Sequence, residues 1–258
     1  MTASARSTVR VMTWNIHGGI GPDGLHDLER MLAVVQRADP DILALQEVDS
    51  RRVKGAEHPI ALLKRVLGHH GVAATAITTA DGDYGQVLLS RWPLEEAVIH
   101  DISVPGREPR RAIAATVGTP SGRLFVVAAH LGLRFVERRR QCFKMALLAD
   151  QSELPTVVLG DFNDWMWPGS VQNVLARRLP GRTRQRTFPA RLPLLKLDRI
   201  YCRPAAALVS SKVDPAGAGV SDHLPLIAEI DPAVKPRPNF GAVAMGATSS
   251  RVRPARLR

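Results

Sequence analysis

The chain has 258 residues, 45% of them hydrophobic, so it is long enough to bury one large core or two small ones. Its 35 Lys and Arg against 24 Asp and Glu give a formal net charge of +11, and six of the basic residues (Lys235, Arg237, Arg251, Arg253, Arg256, Arg258) follow Asp231 with no acid among them. Met1 to Arg10 has no apolar secretion core, no stretch is long and apolar enough for a membrane span, and two cysteines make no disulfide framework; a cytoplasmic protein with Cys142 and Cys202 reduced is expected.

Residues 1–8 read as a flexible N-terminus. Val9, Val11 and Trp14 then begin a strand that stops at Asn15. The following His17-Gly18-Gly19-Ile20-Gly21-Pro22-Asp23-Gly24 is glycine-rich, but no Gly-Lys-Ser/Thr follows, so it reads as a turn rather than a nucleotide loop. Asp27 starts a helix with Leu28, Met31, Leu32 and Val35 at helical spacing, which Asp39-Pro40-Asp41 ends. The strand from Ile42 delivers Gln46 and Glu47. A helix is expected from His58 to Leu67, closed by Gly68; His69 and His70 read as solvated residues at its exit, since nothing nearby completes a metal site.

Tyr84 to Arg91 and Ala97 to Ile102 read as strands on either side of a Trp92-Pro93 break. Ala112 to Val117 and Leu124 to His130 read as a hairpin turning at Thr119-Pro120-Ser121-Gly122. The helix expected from Arg134 to Gln151 places Arg138, Arg139 and Arg140 on a solvated face. Thr156 to Leu159 is a buried strand running into Gly160-Asp161-Phe162-Asn163-Asp164, where Asp161 and Asn163 share one side and Phe162 turns to the core. Those polar residues are also ordinary turn formers. Ser170 to Leu179 reads as a short helix. Arg182, Arg184, Arg186 and Arg191 follow in an acid-free loop that reads as an anion-binding surface at the mouth of a site. Asp198 lies inside an apolar run, and Ser221-Asp222-His223 opens the last one. Strands at Ala207 to Val213 and Leu224 to Ile230 finish a domain spanning 9–231, and residues 232–258 read as a basic disordered tail.

Six apolar segments therefore each present one or two polar groups: Asn15, Glu47, His130, Asp161 with Asn163, Asp198, and Asp222 with His223. Independent turns would not keep choosing Asn, Glu, His and Asp, so convergence on one site is the better account. Ser221 has no glycine-flanked nucleophile elbow, which places a serine-hydrolase reading last.

In this order, Trp14-Asn15, Gln46-Glu47, His130-Leu131, Gly160-Asp161-Phe162-Asn163, Leu197-Asp198 and Ser221-Asp222-His223 resemble the endonuclease/exonuclease/phosphatase superfamily over Val9 to Ile230. The resemblance implies an α/β fold, a four-layer sandwich of two mostly antiparallel β-sheets flanked by helices as in deoxyribonuclease I. It also implies a Mg2+-dependent hydrolysis of a phosphodiester or phosphate ester by in-line attack of an activated water, with Mn2+ as a substitute metal. Carried over residue by residue, Glu47 matches the metal-binding glutamate, helped by Asn15 and Asp222. Asp161, held by Asn163, matches the group that activates water. His223 beside Asp222 matches the pair that contacts phosphate, Asp198 orients a histidine or the metal shell, and His130 is the second imidazole. Asn15, Asn163, His130 and His223 would touch the phosphate. Arg107-Glu108-Pro109 resembles the deoxyribonuclease I segment whose glutamate supports the second histidine, which makes Glu108 a further catalytic candidate.

Two departures point away from abasic-site endonucleases: His130 stands where they place a tyrosine, and His17 where they place an acid. The run from Thr187 to Asp198 resembles bacterial hydrolases of the superfamily. The expected partner is a phosphate-ester substrate: the arginine loop and the basic balance favour nucleic acid, for which Trp165 and Trp167 are the main stacking candidates, with an anionic phospholipid or a small phosphate ester as the alternatives; the chain is expected to be a monomer. The rival reading is a catalytically silent module that binds anions or nucleic acid on the same fold.

Overall fold

In the computed structural model, residues 7–51, 59–67, 70–165 and 170–235 are described. In chain order the elements are β1 (Val9–Asn15), α1 (Leu28–Ala38), β2 (Ile42–Asp49), α2 (Pro59–Leu67), β3 (His70–Thr79), β4 (Gly82–Ser90), β5 (Leu94–Asp101), β6 (Arg111–Thr119), β7 (Gly122–His130), α3 (Phe135–Ala149), β8 (Thr156–Asp161), α4 (Ser170–Arg178), β9 (Gly181–Arg182), β10 (Asp198–Arg203), β11 (Leu208–Val213) and β12 (Leu226–Ile230). The strands form two six-stranded sheets, ordered β11-β12-β1-β2-β4-β3 and β5-β6-β7-β8-β10-β9. Each sheet holds one parallel pair at its centre, β1 with β2 and β7 with β8; the other pairings are antiparallel.

Strand alternation sorts the core into three bodies. Val9 and Val11 of β1, Ile42 and Ala44 of β2, Val126 and Ala128 of β7, Val157 and Leu159 of β8 and Ile200 of β10 pack together between the sheets. The opposite faces of β1 and β2 turn Met12, Trp14, Leu43 and Leu45 onto Met31, Val35 and Leu63 of α1 and α2. Val127, Ala129 and Val158 do the same on Met145, Val171 and Leu175 of α3 and α4. The layers are therefore helix, sheet, sheet, helix. Central strands buried on both faces explain the unbroken apolar runs in the sequence.

Local chemistry sets the helix limits. Asp27 caps α1 by accepting from Arg30 N at 3.1 Å, and Asp39, at φ 46, ends it in the left-handed region.

Two elements and one side chain differ from the sequence expectation. His70, taken there as a solvated helix exit, begins the ten-residue strand β3, and Gly181–Arg182 forms a two-residue strand inside the arginine loop. Arg138 is buried: helical rotation sets it on the inner face with Gln141, Cys142 and Met145, leaving Arg139 and Arg140 outside. Its Nη1 donates to Leu133 O, and its Nε lies 3.9 Å from Asp164 Oδ1. His58, Gly68, His69, Trp167 and residues 236–258 lie outside the described residues. Among the described residues, no helix is long and apolar enough to cross a membrane.

Candidate active site

The strands that build the inter-sheet core also deliver the polar residues, on the same parity. Asn15 continues the side of Val9 and Val11, His130 that of Val126 and Ala128, Asp161 that of Val157 and Leu159, and Asp198 that of Ile200 and Cys202. Register aligns them: His130 sits opposite Asp161, and Asp161 opposite Asp198. The apolar layer between the sheets thus ends in a polar cluster at one edge.

Glu47 arrives differently. Plain alternation would put it on the helix side with Leu43 and Leu45, but the pairing of β2 with β4 shifts register between Leu45 and Val48, and Glu47 itself has φ 57. This bulge brings the carboxylate to Asn15, whose Nδ2 donates to Glu47 Oε1 at 2.8 Å. Asn163 is likewise left-handed at φ 50, in a turn closed by its own N–H donating to Asp161 Oδ1 at 2.8 Å. Of the five non-glycine residues with positive φ among the described residues, these two belong to the site.

Asp161 Oδ2 is the focus. Asn15 Nδ2 donates to it at 3.0 Å, His130 Nε2 lies 3.5 Å away and His223 Nε2 3.9 Å away. His223 is held from behind by Asp198 Oδ2, 2.7 Å from Nδ1, and by its backbone, whose carbonyl accepts from Trp14 Nε1 and whose N–H donates to Ser221 Oγ. Ser221 Oγ also donates to Asn15 O at 2.7 Å, which ties the last turn to β1. Asn163 Nδ2 donates to Leu131 O and lies 3.2 Å from His130 Nε2.

The structure brings together Asn15, Glu47, His130, Asp161, Asn163, Asp198 and His223. Asp222 stands at the rim, half exposed, with Oδ1 4.0 Å from His17 Nδ1. Glu108 is a step removed: its Oε1 pairs with Arg110 Nη1 at 3.2 Å, and it is Arg110 Nη1 that reaches His130 Nδ1, at 3.0 Å. Sequence reasoning missed Arg110. Its neighbours Arg107 and Arg111 are also cationic, and no spacing singles out the arginine that folds inward.

The two imidazoles are driven apart in protonation. Burial, then the charges of Arg110 and His223, hold His130 well below the usual 6.5. Guanidinium only donates, so His130 Nδ1 accepts from Arg110 and the ring proton sits on Nε2, on the side of Asp161; the Asn163 amide nitrogen beside Nε2 then makes no hydrogen bond to the ring and keeps the one to Leu131 O. For His223, burial pulls the other way, but Asp198, Asp161 and Asp222 outweigh it and raise the ring to about 10, so it is an imidazolium. Asp161 is pushed up to about 6 by burial and the nearby Asp198, against the pull of His223. An acceptor near neutrality, a neutral donor and a cationic donor thus face one point.

Among the described residues, Asp161, Asp198 and His223 form the group whose metal-binding atoms all lie within 4.8 Å of one another. That set is closed by its own hydrogen bond, which uses His223 Nδ1 and Asp198 Oδ2. Glu47 fits a hard divalent cation better: its carboxylate is partly open to solvent, and Asn15 occupies only Oε1.

Residues 12–223 match the Endonuclease/Exonuclease/phosphatase family. The chain belongs to that family. Its members generally hydrolyse phosphoester bonds and generally depend on a divalent metal. The uncharacterized protein YbhP of Escherichia coli K12 is 34% identical over 250 residues, covering 86% of this chain and 95% of YbhP. The endonuclease/exonuclease/phosphatase of Beutenbergia cavernae shares the fold at TM-score 0.70 and 23% identity, over 88% of this chain and 72% of that one. The catalytic domain of human Nocturnin, solved with a bound sulfate anion, matches at TM-score 0.63 and 21% identity, over 88% of this chain and 95% of that domain.

Proposed function

We propose that this family member is a divalent-metal-dependent phosphoesterase that hydrolyses a phosphodiester or phosphate ester. The observation that carries the reading is the convergence of Asn15 Nδ2, His130 Nε2 and His223 Nε2 on Asp161 Oδ2. In this reading Asp161, ionised at neutral pH, orients a water and takes its proton as the water oxygen bonds to phosphorus. His130 donates from Nε2 to a phosphate oxygen, and Asn163 and Asn15 position the phosphate with their amides. The imidazolium of His223 stabilises negative charge and supplies a proton to the departing alkoxide as the ester P–O bond breaks. Asp198 keeps His223 charged and oriented, and Arg110, backed by Glu108, fixes the His130 tautomer. Glu47, helped by Asn15 and by Asp222 from the rim, would hold Mg2+, which neutralises phosphate charge and supports the leaving oxygen. Two buried free cysteines suit a reducing cytoplasm.

The test is turnover of a soluble aryl phosphodiester and monoester with Mg2+, Mn2+ or chelator. Chelator-sensitive hydrolysis that Glu47→Ala abolishes, with unfolding of the variant unchanged, is the expected result. Full Mg2+-dependent activity in Glu47→Ala would overturn the metal assignment, and no turnover by well-folded, metal-loaded protein would favour the silent binding module.

A further inference from the structure

Among the described residues, six of the ten exposed large hydrophobic side chains lie in segments adjoining the candidate site. Leu25 lies in the loop after β1, which ends in Asn15. Leu133 and Phe135 follow His130, and Trp165 follows Asn163 by two positions. Leu192 and Leu194 sit in the loop that leads to Asp198. These six are between 43% and 67% exposed. The last loop is seated directly on the site: Ala190 N donates to Asp222 O at 2.7 Å, Leu224 N to Thr187 O at 2.8 Å, and the Phe188 ring lies 4.9 Å from that of His223. Of the other exposed large hydrophobics, Val136, Phe143 and Leu147 continue along α3 from the same edge, and Val209 stands apart on β11.

Basic residues are interleaved with this rim. Arg134 separates Leu133 from Phe135, Arg191 precedes Leu192, and Arg184 and Arg186 lead into the same loop; no Asp or Glu occurs between Trp165 and Leu197. All four arginines are exposed, and among the described residues none of their guanidinium groups is in an ion pair with a carboxylate. Exposed apolar side chains grouped on one end of a molecule mark an interaction surface. Aliphatic tips flanked by cations match a surface with negative charge outside and hydrocarbon beneath. A nucleic acid would satisfy the arginines but would leave the leucines in water, since base stacking uses aromatic faces and only Trp165 and Phe135 supply them.

We infer that this rim docks the catalytic mouth onto an anionic lipid surface, with leucines and Trp165 entering the headgroup boundary and the arginines facing lipid phosphates. The inference rests on the phosphoesterase reading for its chemistry and adds how the substrate is met: a phosphoester headgroup presented in a membrane, which reaches Asp161 without leaving the bilayer.

The experiment is sedimentation of the full chain with vesicles of phosphatidylcholine alone or mixed with phosphatidylglycerol, beside turnover of the soluble aryl phosphodiester. Binding to the mixed vesicles is expected, with little to phosphatidylcholine alone and weakening as salt rises. The double variant Leu192→Ser/Leu194→Ser should bind at least about tenfold more weakly while unfolding at the parent's temperature. No binding to anionic vesicles, or equal binding by the variant, overturns the docking surface. So does tight binding to a single-stranded oligonucleotide in place of vesicles. Vesicle binding without any turnover of the soluble ester would instead overturn the hydrolase reading and leave the docking surface standing.

Discussion

Arg110 does something unusual for an arginine: it works through a histidine. Its Nη1 sits 3.0 Å from His130 Nδ1, so it fixes the tautomer and adds its charge to the burial that already holds the ring below its ordinary pKa. Replacing Arg110 with Met should raise the His130 pKa of the metal-free protein towards 6.5, read from its ring resonances by NMR; an unmoved titration would show that burial alone sets it. Asp161 makes a second claim at this scale. Its carboxyl, pushed up to about 6 from 3.8 chiefly by burial, binds its proton more tightly in the folded than in the unfolded chain. That contribution to stability is fully present below the unfolded value and is lost as pH rises through about 6. In metal-free protein, Asp161→Asn should therefore gain unfolding temperature relative to the parent as pH climbs from 4 to 7, by several degrees at about 2–4 °C per kcal/mol. A difference that does not change with pH would contradict the raised pKa.

At the scale of elements, β8 depends on Gly160. Its φ is 147, and a Cβ there would stand 1.8 Å from Ala129 O of β7, the strand it must touch to set Asp161 opposite His130. Gly160→Ala should cost about 3 kcal/mol or more in chemical denaturation, from backbone strain and overpacking together. A loss below 1 kcal/mol would mean that β7 and β8 separate easily. Such strands were legible in the sequence because central strands are apolar on both faces and their polar ends stand out. Asn15, His130, Asp161 and Asp198 could be read for that reason. Glu47 was legible as a residue, but the bulge that turns it inward was not, since a register shift is a property of two paired strands. β3 was missed because an edge strand of alanines and threonines shows no apolar run. Arg138 was misread because a charged side chain is assigned to water until its buried partner, Asp164, is known.

Over the whole molecule, the side chains that gather around Asp161 come from both sheets: Asn15 and Glu47 from one, His130 and Asp198, with Asp161 itself, from the other. A cation held at Glu47, as proposed, would stabilise the native state as a whole. At a concentration of 100 times its Kd the gain is about 2.7 kcal/mol, which corresponds to roughly 5–10 °C in unfolding temperature. Mg2+ should produce that shift in the parent and none in Glu47→Gln, measured by differential scanning calorimetry; equal shifts in both would move the cation to another site. The fold class and the order of the polar residues along the chain were legible at this scale too, whereas the grouping of Leu25, Leu133, Trp165, Leu192 and Leu194 was not, because they come from four separate loops.

The hydrogen bond from Asn15 to Asp161, at 3.0 Å, crosses from one sheet to the other. It acts as a gauge of seating: a small slide of one sheet over the other would part the Asp161 carboxylate from the Asn15 amide while leaving every strand pairing intact. Neither sheet alone holds the whole cluster, so a chain in which only one of them has formed lacks part of the candidate site.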